Sequence, residues 1–154
     1  MSEQPRDYAN FLNEKPEGWV RAQGIRFTRA TADEVTAELE LAPHHLQAYG
    51  IVHGGVHAGL IETLASVGAA LYSLPRNQGV VGLENHTTFL KATRPPGTLR
   101  ASARPVTRGR RTQVWEGEVT DGEGRLLAKG QVRLLCLEAE SALAGEAVSA
   151  VPLK

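Results

Sequence analysis

The sequence predicts an α+β fold in which one long central helix is wrapped by a curled antiparallel β-sheet. One segment of the 154-residue chain, Gly54 to Leu74, has a long helical pattern. Strand-like segments lie on both sides of it, and the four that follow are joined mainly by short turns, which favours antiparallel pairing. A single apolar helix needs a sheet to cover it, so one layer of each is the simplest arrangement.

Two strands are predicted before the helix. Residues 24–28 are rich in apolar side chains, and over 35–41 apolar residues alternate with Thr36, Glu38 and Glu40. A period of two is typical of a strand with one buried face. Residues 1–18 are polar and contain two prolines. We therefore divide the chain into an N-terminal segment at 1–18, one domain at 19–138 and a C-terminal tail at 139–154.

The second half of the domain is predicted to be all strand. Pro75 and the turn at 77–79 end the helix, and strands follow near 80–91, 99–104, 112–120 and 125–137. A basic turn at 107–111 and a turn of Asp and Gly at 121–124 join the last three. The outer face of this sheet has no cover within the chain, so we expect an oligomer. The tail is rich in Ala, Ser and Glu, and either a short helix or disorder would suit it.

Composition excludes several classes of protein. The chain has 17 basic and 17 acidic residues, and a net charge of zero argues against nucleic acid or an anionic membrane as its partner. Residues 91–133 nevertheless hold ten basic and four acidic side chains, which allows a small anionic ligand. The single cysteine excludes an internal disulfide and a Cys-pair metal site. No signal-peptide pattern is visible and the apolar stretch is interrupted by His and Glu, so we expect a cytoplasmic protein without a membrane span.

The predicted helix carries an apolar stripe and, opposite it, a stripe of small residues around one carboxylate. The apolar stripe consists of Val56, Leu60, Leu64, Val67 and Leu71. The opposite stripe consists of Gly55, Ala58, Gly59, Glu62, Ser66, Ala69 and Ser73. Glycine in a helix costs up to about 1 kcal/mol relative to alanine, so Gly55, Gly59 and Gly68 predict close approach by a ligand or another chain. Glu62, alone among small neighbours, is a candidate base or nucleophile.

The helix begins with the sequence His53-Gly54-Gly55. Free N–H groups and the positive end of the helix dipole can polarise a carbonyl or hold an anion there. Glu62 follows Gly54 by eight residues, or about 12 Å along the helix axis. The two groups therefore cannot contact one small carbonyl from the same chain. A site that uses both requires two subunits, which predicts a dimer with paired sites at its interface.

These motifs resemble those of the hotdog-fold acyl-CoA thioesterases. The resemblance rests on Gln47-x-x-Gly50-x-x-His53-Gly54-Gly55 and on the helix segment 60–66, and it extends over roughly residues 20–137. It is strongest to the 4-hydroxybenzoyl-CoA branch with Glu on the central helix, close to the phenylacetate-pathway thioesterases. The resemblance implies a hotdog fold, a homotetramer built as a dimer of dimers, and an aromatic acyl-CoA substrate. It implies no separate cofactor, since coenzyme A is part of the substrate.

The resemblance also implies roles for individual residues. Glu62 matches the catalytic carboxylate, acting as nucleophile or as base for water, and Gly54 of the neighbouring subunit matches the N–H that polarises the thioester carbonyl. Gln47 matches a side chain that positions the reacting groups, and Ser66 a hydroxyl that places the water. His53 and Gly55 match the motif around the substrate.

Coenzyme A carries phosphates, so the basic turn is a candidate for binding them. Its residues are Arg108, Arg110, Arg111 and Thr112. Arginine can bind phosphate through two hydrogen bonds at once. The same turn would also be an ordinary solvated hairpin, and the sequence leaves both interpretations open.

Three other functions stay open at this point. The first is an acyl-thioester hydratase or dehydratase with His53 and His57 as acid and base. The second is a non-catalytic acyl-CoA-binding regulatory module, which would keep its affinity without Glu62. The third is a metal site, because His53 and His57 have a helical ligand spacing; no third ligand is evident, and we expect no metal. His86, Phe89 and Trp115 are further candidates for bordering an acyl pocket.

Overall fold

The computed structural model describes residues 5–147 and has the predicted α+β fold. One twenty-residue helix packs against a six-stranded antiparallel sheet with the strand order β1-β2-β4-β5-β6-β3. The helices are α1 (Ala9–Glu14), α2 (Gly18–Gln23) and α3 (Gly54–Ser73), and the strands are β1 (Ile25–Ala30), β2 (Val35–Glu40), β3 (Gly79–Phe89), β4 (Thr98–Arg108), β5 (Thr112–Thr120), β6 (Leu126–Leu137), β7 (Ala142–Leu143) and β8 (Glu146–Ala147). The predicted order of helix and strands is therefore confirmed.

Helix α3 lies in the concave face of the sheet and forms the centre of the core. Its side chains Leu60, Ile61 and Leu64 are fully buried, as are the sheet residues Leu99 and Trp115 that face the same core. The helix packs against β3, β4, β5 and β6. Burial of each apolar side chain of this size contributes about 1.5–3 kcal/mol, so the interface between α3 and the sheet contributes substantially to the stability of the domain.

The N-terminal segment covers the free edge of β1. Asn13 donates from its side-chain amide to the Phe27 carbonyl at 2.8 Å and accepts from the Phe27 N–H at 2.9 Å. Asp7 accepts from the Ala30 N–H at 2.9 Å, and the Tyr8 N–H donates to the Ala30 carbonyl at 2.8 Å. The backbone groups of an edge strand can pair with another chain unless they are satisfied in this way.

The opposite edge of the sheet, strand β3, has no such cover within residues 5–147. Strand β3 pairs with β6 on one side, and its eleven residues are mostly exposed. Leu83 and Phe89 are 49% and 57% exposed. A long, exposed edge with apolar side chains is a typical surface for pairing with another chain. The β1 edge of the sheet is therefore covered, whereas the β3 edge is exposed within residues 5–147.

Charged side chains on the sheet pair across neighbouring strands. Glu38 of β2 contacts Arg26 and Arg100, and Lys129 of β6 contacts Glu116 and Glu118. Much of the basic excess that the sequence places at 91–133 is therefore balanced locally by acidic partners. Exposed pairs of this kind contribute little stability each, but they leave few unpaired charges on these strands to attract a polyanion.

The C-terminal tail forms a small hairpin where it is described. Strands β7 and β8 pair antiparallel, so the short helix considered from the sequence does not form between residues 139 and 147. Residues 148–154 lie outside the described part of the chain.

The stretch Gly54–Arg76 is long and apolar enough to cross a membrane by length and composition alone. Half of it is buried inside the domain. These are the properties of a core helix packed on a sheet, and α3 is the core helix here.

Candidate active site

Two open depressions lie along one flank of helix α3, and Phe89 borders both. The first, which we call the Gly54 depression, is lined by Gln47, Ile51, Val52, Gly54, His57, Phe89, Leu90, Lys91 and Ala92. The second, the Glu62 depression, is lined by Ala58, Gly59, Glu62, Asn85, Thr87 and Phe89. The sequence-predicted residues Gln47 and Gly54 thus lie together, and Glu62 lies in the neighbouring depression.

The Gly54 depression exposes the first N–H groups of helix α3. His53 is the N-cap, and its Nδ1 accepts a hydrogen bond from the Gly55 N–H at 2.8 Å. The Val56 N–H donates to the His53 carbonyl at 2.9 Å. Within residues 5–147 the Gly54 N–H has no protein acceptor. A free donor at the positive end of a twenty-residue helix is suited to polarising a carbonyl oxygen.

His57 is buried in the wall of the Gly54 depression. It is 3% exposed, and its Nδ1 is a buried atom with no hydrogen-bond partner among the described residues. Burial lowers the pKa of His57 below 6.5, because a charged ring would lose its hydration. The ring is therefore neutral at pH 7. His53 is exposed while His57 is buried, so the two rings do not form the helical metal pair that their spacing allows.

Glu62 lies halfway along α3 with its carboxylate against strand β3. Its Oε2 accepts a hydrogen bond from Nδ2 of Asn85 at 3.0 Å. A side chain at Gly82 would clash with Oε1, so the carboxylate lies directly over the strand backbone at that residue. Thr87 Oγ1 donates to Oδ1 of Asn85 at 2.6 Å and extends the network along β3.

A bulge in β3 brings Gly82 and Asn85 to the same side of the strand. The pairing with β6 shifts register between Gly82 and Glu84, and the extra residue of a bulge reverses the alternation of side chains. After the bulge, Asn85, Thr87 and Phe89 face the helix. His86 is directed to the other face and lines neither depression, so within one protomer it does not border the site.

Gly82, Asn85 and Thr87 are residues that the sequence interpretation missed. Their contact with Glu62 depends on the β3–β6 register, which local patterns do not contain. The one available signal was the run of polar residues Asn85–Thr88 within the strand predicted near 80–91.

The helix glycines make room for side chains of this same chain. A Cβ at Gly59 would lie 2.6 Å from Cζ2 of Trp19, and a Cβ at Gly68 would clash with the buried ring of Trp115. A Cβ at Gly55 would lie 2.9 Å from Nδ1 of His53. The prediction that a ligand or a second chain approaches these glycines is therefore wrong for Gly68, which packs on the core, whereas Gly59 also lines the Glu62 depression and Gly55 stays exposed at the helix start. Trp115 belongs to the core and borders no depression, whereas Phe89 lines both.

The basic turn lies beyond the other end of α3. Arg108 donates to the Ala32 carbonyl at 2.8 Å and to Asp33 at 2.7 Å, and its guanidinium stacks on the ring of Tyr72. Arg110 contacts Glu138 at 3.5 Å, and the Gly109 N–H closes the turn on the Thr112 carbonyl at 2.9 Å. Arg110, Arg111 and Thr112 are exposed. Within one protomer this turn and the Gly54 depression are separated by nearly the length of the helix.

The remaining predicted residue, Ser66, lies one turn beyond Glu62 and is partly buried. It does not line the Glu62 depression. Among residues 5–147, no three or more His, Cys, Asp and Glu side chains converge as a metal site would require.

This arrangement places a free helix N–H in one depression and a strand-held carboxylate in the next. The sequence profile described as the Thioesterase superfamily matches residues 49–128, which include both. The chain belongs to the thioesterase superfamily. It is a thioester hydrolase with the hotdog fold that its motifs resemble, which favours hydrolysis over the hydratase and non-catalytic alternatives.

Individual relatives agree with this assignment. A Mycobacterium tuberculosis protein, named as an esterase candidate, is 41% identical over 118 residues, or 75% of this chain and 84% of the relative. Its structure superposes with a TM-score of 0.77 at 38% identity, covering 80% of this chain and 98% of that one. The proofreading thioesterase EntH of Klebsiella pneumoniae is 36% identical over 74% of this chain and 82% of its own length. The 1,4-dihydroxy-2-naphthoyl-CoA hydrolase of Escherichia coli is 33% identical over 79% of this chain and 88% of its own length.

Proposed function

We propose that this thioesterase hydrolyses an aromatic acyl-CoA to the free acid and coenzyme A. The observation that carries the proposal is the pairing of a carboxylate, Glu62, with an unused helix N–H, Gly54, in adjoining depressions. A relative at 33% identity is named as the hydrolase of an aromatic acyl-CoA, which supports the class of substrate.

Two subunits would complete each site. The carboxylate and the N–H are eight residues apart on one helix, about 12 Å along its axis, which is too far for one thioester carbonyl. Pairing of β3 with β3 of a second copy would cover the open sheet edge and the exposed Leu83. Such a two-fold dimer would set each Glu62 depression beside the partner's helix start. A homotetramer would then form from two such dimers.

The chemistry needs few groups because a thiolate is a good leaving group. The Gly54 N–H would stabilise the charge that develops on the carbonyl oxygen, and one such donor contributes on the order of 3 kcal/mol. Glu62 would either attack the carbonyl carbon, forming an anhydride that water then cleaves, or take a proton from an attacking water. In both routes the C–S bond breaks, coenzyme A leaves as the thiolate, and no redox step is involved. Gln47, in the Gly54 depression, would orient the thioester, and Ser66 the water.

The walls of the depressions suit a planar acyl group. Phe89, which is 57% exposed, separates the two depressions. The other side of the Glu62 depression has only the small residues Ala58 and Gly59, with the half-exposed Trp19 packed on Gly59. Aromatic rings stack on each other with a gain of about 0.5–1.5 kcal/mol beyond their buried area. This composition favours an aroyl or arylacetyl group over a bulky branched one.

The exposed side chains Arg110 and Arg111, with Thr112, are the groups we propose for the phosphates of coenzyme A. Arg108 is held by Asp33, the Ala32 carbonyl and Tyr72, so its contribution would be to brace this turn. His53 and Gly55 would shape the helix start against the substrate.

The experiment that tests the proposal measures free thiol released from a panel of acyl-CoA esters. We expect Glu62→Gln to lower kcat by about 10²–10⁴-fold, as for other residues that act on protons or as nucleophiles. Glu84→Gln is the matched control, because Glu84 is an exposed carboxylate of β3 that pairs with Arg133. Benzoyl-type and phenylacetyl-type esters should be cleaved faster than branched aliphatic ones. Full activity of Glu62→Gln would refute the assignment of the carboxylate.

A further inference from the structure

We propose that Asn85 and Thr87 position the Glu62 carboxylate, holding Oε2 so that Oε1 is the reacting oxygen. The inference rests on the proposed catalytic role of Glu62 and deepens it. Asn85 itself touches no reacting atom in this scheme and is a positioning residue.

The orientation of the Asn85 amide is determined by its partners. Nδ2 lies 3.1 Å from the carbonyl oxygen of Ala58 and 3.0 Å from Oε2 of Glu62. A carbonyl oxygen can only accept, so the nitrogen of the amide must be the atom that faces the helix. On the other side, Oδ1 accepts from Thr87 Oγ1 at 2.6 Å. The amide therefore cannot turn over without losing both hydrogen bonds to the helix, whereas the Thr87 hydroxyl can donate or accept.

This network gives the two oxygens of the Glu62 carboxylate different surroundings. Oε2 has a donor in Asn85, and within residues 5–147 Oε1 has none. Oε1 lies over Gly82, where any side chain would clash with it. The oxygen without a hydrogen-bond donor is the stronger base and nucleophile, since hydrogen bonds stabilise the charge that it would share with the substrate. The missing side chain at Gly82 leaves the space that Oε1 itself occupies.

A link between helix and strand is needed because Glu62 is on a flexible side chain in an open depression. A carboxylate that points freely into solvent occupies several rotamers, and each wrong one removes it from the substrate carbonyl. Misplacement by about 1 Å can cost on the order of a hundredfold in rate. Asn85 ties the carboxylate to β3 and to the α3 backbone at Ala58 at once.

The test compares Asn85→Ala, the isosteric Asn85→Asp and Thr87→Val, with Thr88→Val as the matched control. Thr88 is the exposed neighbour of Thr87 and is directed to the other face of the strand. We expect Asn85→Ala and Asn85→Asp to lower kcat by about ten- to a hundredfold with KM changed less than about twofold. Thr87→Val should lower kcat less, since the amide keeps its bonds to the helix, and Thr88→Val should match the wild type. Asn85→Asp keeps the shape of the side chain but puts a second carboxylate beside Glu62, whereas Asn85→Ala removes the donor without adding charge. A loss of kcat in both variants is expected if the hydrogen bond to Glu62 is what positions the carboxylate.

A double-mutant cycle separates this inference from the proposed function. If Asn85 acts through Glu62, Asn85→Ala should reduce the residual rate of Glu62→Gln by less than about twofold. An equal loss in both backgrounds would mean a general structural effect and would overturn the inference, as would wild-type kcat in Asn85→Asp. Full activity of Glu62→Gln would instead refute the proposed function. Thermal unfolding of each variant identifies any that fails to fold, and Thr87→Val, which conserves β-branching, then carries the test.

Discussion

At the scale of single residues, the two groups that we propose to act on the thioester are held in different ways. Gly54 supplies a backbone donor that the helix geometry leaves free, so no side chain has to be held there. Glu62 supplies a side chain, and the contacts of Asn85 and Gly82 restrict where it can go. The nearby His53 and His45 form hydrogen bonds with the backbone around the helix start. His53 caps the helix, and His45 accepts from the Ala42 N–H and donates to the Gln23 carbonyl.

His57 predicts a pH dependence of stability at this scale. Burial lowers its pKa in the folded protein below 6.5, and burial likewise lowers the pKa of His45. The unfolded chain therefore binds these protons more readily than the folded chain. The stability that the two neutral histidines contribute is fully present above about pH 6.5. It is lost as the pH falls through their lowered pKa values in the folded protein.

The measurement is the thermal midpoint as a function of pH. We expect the thermal midpoint of the wild type to decrease as the pH is lowered from about 8 to about 5. His57→Leu should show a smaller decrease, because it lacks one of the two buried rings. His86→Gln is the control, since His86 is an exposed histidine of β3 that contacts neither buried ring. A pH profile of His57→Leu parallel to that of the wild type would contradict the prediction.

At the scale of elements, the helix was predictable and the bulge was not. The apolar period, the Gly-Gly start and the eight-residue separation of Gly54 and Glu62 are all local features, and the structure keeps them. The bulge at Leu83 arises from the pairing of β3 with β6. A one-residue shift there decides whether Asn85 or His86 faces the helix. The neighbours of the helix glycines were missed for the same reason, because tertiary packing brings Trp19 and Trp115 to them.

Gly68 tests the packing of the helix on the sheet. A methyl group at this residue would clash with the ring of Trp115, which is fully buried and donates from Nε1 to Gln113 at 3.0 Å. Overpacking of this kind costs about 1–3 kcal/mol, against a gain of up to about 1 kcal/mol from replacing glycine in a helix. Because Trp115 has no room to move, we expect Gly68→Ala to lower the free energy of unfolding by about 1–2 kcal/mol.

Chemical denaturation checks this value. The matched control is Gly122→Ala in the β5–β6 turn, where an added Cβ would meet no atom within 4 Å and the backbone has no positive φ. It should leave the free energy of unfolding nearly unchanged. A Gly68→Ala protein as stable as the wild type would show that the core can accommodate the methyl group.

At the scale of the whole molecule, the sheet has one closed edge and one open edge. The N-terminal segment satisfies the backbone of β1 through Asp7, Tyr8 and Asn13, whereas β3 presents Leu83 and Phe89 to solvent. The sequence predicted the need for a second copy from the spacing of Gly54 and Glu62 on the helix and from the uncovered outer face of the sheet. It could not say which surface the copy would use, because both edges look like alternating strands until the N-terminal segment is seen to cover one of them.

Mixing two inactive proteins tests whether each site is shared between subunits. Gly54→Pro removes the N–H at the first helical residue, where proline is tolerated. Gly54→Ala is its control, because it keeps the N–H but adds the same Cβ, 2.8 Å from Cζ of the exposed Phe89 ring. We expect Glu62→Gln and Gly54→Pro each to be nearly inactive as pure proteins. Unfolded and refolded together in equal amounts, they should recover about a quarter of the wild-type rate, since about half of the dimers would then carry one intact site of two.

The recovered rate depends on where the two residues meet. One intact site forms in a mixed dimer if Glu62 of the Gly54→Pro subunit faces Gly54 of the Glu62→Gln subunit. If both groups acted within one subunit, no mixture could contain an intact site and the rate would stay at the level of the pure variants. Size-exclusion chromatography of the wild type and of each variant provides the second readout. A wild-type protein that is monomeric at assay concentration and fully active would refute the proposal that pairing through the β3 edge completes each site.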